Sequence, residues 1–151
     1  MYARTVGEDL NLYKQTERWY YRLNALKTRI ENLKQEYAEK ELDASGEGID
    51  YSKDKLSETY QFHSSTENIG IELAQIKMKI ELLQNKVDIM ERSLRILNQT
   101  EIRIITMKYF ENEPWYKIAY ELKYNESHCR RIRTHAIGKL KVAIFGEGEE
   151  T

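Results

Sequence analysis

The side chains best suited to chemistry are concentrated in one stretch near the C-terminal end. Between positions 125 and 145 stand five bases, Arg130, Arg131, Arg133, Lys139 and Lys141, against the single acid Glu126. Ser127, His128, Thr134 and His135 are interleaved with them. Wound as a helix at 100° per residue, Ser127, Arg130, Arg131, Thr134 and Lys141 fall on one side, and Cys129, Ile132, Ala136, Leu140 and Ala143 on the other. A local positive excess on an exposed helix face is what a phosphate backbone attracts. Arginine can read guanine bidentately in the major groove, and Ser or Thr can make shorter contacts there. Recognition helices touch bases mainly through their N-terminal residues, so Glu126, Ser127, Arg130 and Arg131 are the expected base readers, with Thr134 on the same face. His128, Arg133, His135 and Lys139 flank that face and are expected on phosphates, which position without specifying.

Other chemistries have less behind them. His128, Cys129, His135 and His63 contain zinc-ligand types, but Cys129 points about 100° away from the face shared by His128 and His135, and structural zinc sites bring four ligands at recognisable spacings. No metal and no cofactor are expected. Trp19, Tyr20 and Tyr21 are the aromatic types that stack on single-stranded nucleic acid, yet Trp19 lies on an apolar seam and fits a core better. The chain has no glycine-rich phosphate loop, no nucleophile elbow and no paired acid–base motif, so no enzyme is expected.

The elements that must present this face are helical. Pro114 is followed by Trp115, Ile118, Ala119 and Leu122 at i, i+3, i+4 and i+7, one face of a short helix with the proline at its first position. That helix ends near Lys123 and Tyr124, and Asn125 is a good N-cap for the basic helix. An earlier helix over about 99–111 starts near Asn98 or Thr100 and is broken by Asn112 and Glu113. Together they predict a three-helix unit with a helix-turn-helix at about 98–145.

Upstream, two segments repeat every 3.5 residues. Leu12, Thr16, Trp19, Leu23, Leu26, Ile30, Leu33 and Tyr37 form one seam; Ile69, Leu73, Ile76, Ile80, Leu83, Val87, Met90, Leu94 and Leu97 form the other. Residues 43–66 between them are polar, glycine-containing and aperiodic, which predicts a flexible loop, with Ser64, Ser65 or Thr66 capping the second helix. The expectation is an antiparallel helical hairpin over 1–97, a helix-turn-helix domain over 98–145 and an acidic tail over 146–151, in an all-α protein. A second stripe, Ile71, Met78, Leu82, Ile89 and Ile96, lies off the main seam and predicts another neighbour, either a second protomer or the C-terminal domain.

Whole-chain composition agrees. Of 151 residues, 32% are charged and 40% hydrophobic, with a formal charge of −1, so the chain is no basic DNA-coating protein and the local excess carries the signal. A single proline leaves long helices unbroken, and one cysteine excludes an internal disulfide and fits a reducing cytoplasm. No apolar run is long enough to span a membrane.

Glu101 to Leu140 resembles region 4 of bacterial sigma factors. The matching residues are Glu101, Ile104, Ile105, Met107 and Tyr109; Trp115, Ile118, Ala119 and Leu122; and Tyr124, Asn125, Glu126, Cys129, Ile132, Ala136, Lys139 and Leu140. Asn125 stands where such regions usually carry Ser or Thr, Cys129 where they carry Val or Ile, and Lys123 where the turn usually has Gly. The hairpin, the loop containing GIDYSKDK and the segment SSTENIGIEL are similar to the ArpU and RinA families of phage late transcription regulators. The resemblance implies a DNA-binding activator or sigma-like accessory factor, with RNA polymerase as a possible partner. Nothing matches the sigma segment that melts promoter DNA. Two rivals are a phage small terminase subunit or packaging adaptor, which would form rings, and an interaction protein whose hairpin is the working surface. In the first reading the N-terminal helices are expected to serve either self-association into a homo-oligomer or a polymerase contact, with a monomer or dimer rather than a ring.

Overall fold

In the computed structural model the described residues are 4–45 and 58–147, with side chains described in 4–45 and 67–147. The described residues are helical, without a strand: α1 Val6–Tyr21, α2 Leu23–Ala44, α3 Glu58–Ser93, α4 Gln99–Ile105, α5 Trp115–Leu122 and α6 Glu126–Phe145. None of these helices is long and apolar enough to cross a membrane.

The first heptad segment is not one helix. Thr5 opens α1 with a capping box, its hydroxyl accepting from the Glu8 N–H at 3.2 Å while the Glu8 carboxylate accepts from the Thr5 N–H at 2.7 Å. The helix then breaks at Arg22 (φ −97°, ψ −2°), whose N–H is shared between the carbonyls of Arg18 and Trp19. Neither glycine nor proline marks the break, and the apolar period runs through it unchanged. At the other boundary, α3 begins at Glu58, so the serines and threonine at 64–66 lie inside the helix rather than capping it. Of the expected loop, residues 46–57 lie outside the described residues.

The chain divides into two compact units, Met1–Ala25 with Val87–Thr151, and Leu26–Lys86. The division differs from the expected one at residue 97, because α1 belongs to the unit that contains the C-terminal helices. In the unit Leu26–Lys86, Ile30 and Leu33 of α2 and Ile76 of α3 are buried, and Lys40 of α2 pairs with Glu72 of α3. The outer stripe of α3 is left open: Ile71, Met78 and Leu82 are exposed.

In the other unit, α4 to α6 enclose a core of Ile104, Met107, Ile118, Ala119 and Cys129, with Trp115, Leu122 and Ile132 packed against it. Asn98 caps α4 through a capping box with Glu101, and the buried Glu101 carboxylate also accepts from Lys139 at 2.8 Å. The last turn of that helix widens into a π-turn at Thr106–Phe110 and closes on Asn112 at φ 54°, a left-handed conformation that asparagine tolerates. Pro114 is extended (ψ 153°) and is the N-cap of α5 rather than its first residue, so the helix opens one position later than the sequence suggests.

α1 packs on the opposite flank of α6. Glu17 meets Arg133 at 3.0 Å and Asp9 meets Lys141 at 2.7 Å, so the two helices run antiparallel. Fully buried Ile137 lies between those two bases on the same i, i+4 row. Arg4 donates to the carbonyls of Phe145 and Gly146, placing a cation on the C-terminal end of α6 where the helix dipole favours it. On the facing part of α1, the buried Tyr20 hydroxyl donates to the Met90 carbonyl at 2.9 Å.

Candidate nucleic-acid interface

Two short-range devices set the start of α6. The first is a left-handed stop. Lys123 adopts φ 57° and ψ 37°, its N–H reaches the Tyr120 carbonyl at 3.4 Å, and the Tyr124 N–H reaches the Ala119 carbonyl at 3.1 Å. This pair of bonds is a Schellman closure, which ordinarily has glycine at the left-handed position. A side chain there costs about 1–2 kcal/mol. The second is the cap: the Asn125 side chain accepts from the His128 N–H at 2.7 Å. Three residues, Lys123 to Asn125, thus join α5 to α6.

The buried face of α6 is set by two neighbours rather than one. Cys129, Ala136, Ile137 and Leu140 are fully buried and Ile132 is partly buried. Ala143, expected on the apolar side, is exposed, and Ile137, absent from the expected face, is buried, because α1 draws the C-terminal half of the helix toward itself. Burial pushes the Cys129 thiol up from its ordinary range, with nearby Glu126 acting in the same direction.

What remains outward is a strip on the N-terminal half. Ser127, Arg130, Arg131, Thr134 and His135 are exposed. Arg130 is held by Glu126 at 3.3 Å one turn back and lies over the Trp115 ring, its guanidinium carbon 5.6 Å from the centroid. Arg131 makes no ion pair among the described residues. Thr134 donates its hydroxyl to the Arg130 carbonyl at 3.0 Å and stands beside Tyr13 of α1. His128 is half-buried, edge-on to Tyr124 with centroids 4.8 Å apart. An open groove beside the strip is lined by Thr100, Tyr124, His128, Arg131 and His135.

Three of the five bases that define the cluster in the sequence are engaged inside the molecule. Arg133 is half-buried: it bonds Glu17, lies 5.3 Å over Trp115, and its Nε is buried without a partner. Glu17 also accepts from the Tyr109 hydroxyl at 2.7 Å. Lys139 is committed to Glu101, and Lys141, expected on the outward side, is largely buried against Asp9. Their partners come from distant segments, which a local charge count cannot reveal.

The structure adds side chains that the sequence reading passed over. Tyr116 and Tyr120, one turn apart on α5, are exposed, as are Lys117 and Lys123. Their signal was present: both tyrosines lie off the apolar face of Ile118 and Ala119. Of the residues weighed for metal, Cys129 lies in the core, and the side chain of His63 lies outside the described residues. Tyr21, weighed for base stacking, lies against Tyr109 with centroids 4.4 Å apart.

No curated protein and no solved structure matches the chain. A family model matches residues 19–142, and the chain belongs to that family, described as a protein of unknown function (DUF722).

Proposed function

We propose that this DUF722 protein binds double-stranded DNA as a transcription regulator, with α5, the Lys123–Asn125 turn and α6 acting as a helix-turn-helix. The observation that carries the reading is the outward strip of Ser127, Arg130, Arg131 and Thr134 on a helix whose apolar residues Cys129, Ala136, Ile137 and Leu140 are buried on another side. In this reading the strip enters the major groove. Arg130, already steered by Glu126 and Trp115, and Arg131 donate to base edges; Ser127 and Thr134 make the shorter contacts. His135, His128, Lys123, Tyr116 and Tyr120 border the strip and fix the register on phosphates. Arg133, Lys139 and Lys141 act indirectly, holding α6 against α1 and α4.

The resemblance to sigma region 4 and to phage late regulators supports an activator working with RNA polymerase. The helices α2 and α3 would then form a hairpin arm for self-association or a polymerase contact.

Footprinting of the full chain on a genomic library tests DNA binding and finds the site together. Arg130→Ala and Arg131→Ala are each expected to lose about 1–3 kcal/mol of specific binding and to relax discrimination at one base position. Binding of the wild type is expected to weaken steeply with salt. Salt-independent binding, or a double variant with an unchanged footprint, would remove α6 from the interface.

A further inference from the structure

The helix α3 is apolar on two opposite faces, and among the described residues only one of them is covered. At 100° per residue, Ile71, Met78, Leu82 and Ile89 fall within an arc of about 40°, centred about 160° away from Ile69, Leu73, Ile76, Ile80 and Leu83. The outer residues are 58%, 63%, 65% and 40% exposed. Large apolar side chains left open in a row on a packed helix mark an interaction surface.

We propose that this outer face is the seam of a parallel, two-stranded coiled coil with a second copy of the chain. Three features of the seam point to that occupant. Its residues alternate steps of four and three through Ile71, Gln75, Met78, Leu82, Asn85 and Ile89, the 3.5-residue period that fits a helix of the same period. Gln75 and Asn85 place two polar groups on the seam, and polar seam residues favour helices paired in one register at a cost in stability. The flanks differ in sign: Glu81 and Asp88 lie on one side, and Lys79 and Lys86 on the other, where the one acid, Glu72, is already paired with Lys40. In a parallel pair the acidic flank of each copy meets the basic flank of its partner, with Glu81 opposite Lys86 of the second copy. An antiparallel pair would bring like flanks together. The proposal is independent of the DNA-binding reading.

Sedimentation equilibrium of the full chain tests it. The wild type is expected to be a dimer at roughly 100 µM. Met78→Glu with Leu82→Glu is expected to weaken association on the order of a thousandfold, because an exposed Leu or Met seam is lost from both copies. Helix content by circular dichroism is expected to stay unchanged, since both positions are exposed. Asn85→Cys in a Cys129→Ser background is expected to form an intermolecular disulfide readily, as parallel in-register helices bring the two residues within bonding reach. A monomeric wild type overturns the proposal. So does a dimer that survives the double substitution, or one that persists while Asn85→Cys fails to cross-link.

Discussion

Glu17 gathers Tyr109 and Arg133 around one carboxylate, and the tyrosines of this region share a consequence for stability at high pH. Burial pushes the Tyr109 phenol well above its usual range, and the hydrogen bond to Glu17 acts in the same direction. Tyr20 is raised mainly by burial, and Tyr13 and Tyr21 move the same way. An ionised phenol at these places would be a partly desolvated anion, beside a carboxylate in the case of Tyr109. The unfolded chain loses these protons near pH 10, whereas the folded chain holds them beyond it. Their stabilising contribution is therefore complete below about pH 10 and is lost as pH rises further. The melting temperature is expected to be flat between about pH 7 and 9 and to drop above about pH 10, with a shallower fall in Tyr109→Phe. An alkaline profile identical in that variant would contradict this cause.

The single elements were legible where a period and a cap coincide. Trp115, Ile118, Ala119 and Leu122 announce α5, and Asn125 announces α6 and does cap it. The break at Arg22 was not legible, because nothing in the local sequence interrupts the period there. Two positions run against local preference and make a direct test. Lys123 occupies a left-handed conformation that glycine adopts without strain. Gly138 sits inside α6, and a β-carbon added there meets nothing within 4 Å. Lys123→Gly and Gly138→Ala are therefore each expected to stabilise the fold by about 0.5–1 kcal/mol, read as a higher denaturation midpoint. A lower midpoint for Gly138→Ala would contradict the open space beside α6 at this position.

The candidate site was legible as a strip and illegible as a count of bases. Ser127, Arg130, Arg131 and Thr134 follow from helical geometry alone, whereas the commitment of Arg133 to Glu17 spans 116 positions of sequence. At the scale of the molecule the same long reach decides which segments form a unit. A heptad reading pairs helices that share a period, so it assigns the first 25 residues to the hairpin. The salt links and buried Ile137 instead tie α1 to α6. Segments stabilised by the same contacts open together. Native-state hydrogen exchange is therefore expected to give the slowest amides of α1 and α6 a common opening free energy, and Glu17→Ala is expected to lower both by about 1–3 kcal/mol by leaving half-buried Arg133 without its carboxylate. Amides of α2 are expected to respond less to the same substitution. If α1 instead exchanges in step with α2 and is indifferent to Glu17, the boundary belongs after α2 and α6 must hold its outward strip without help from the N-terminal helix.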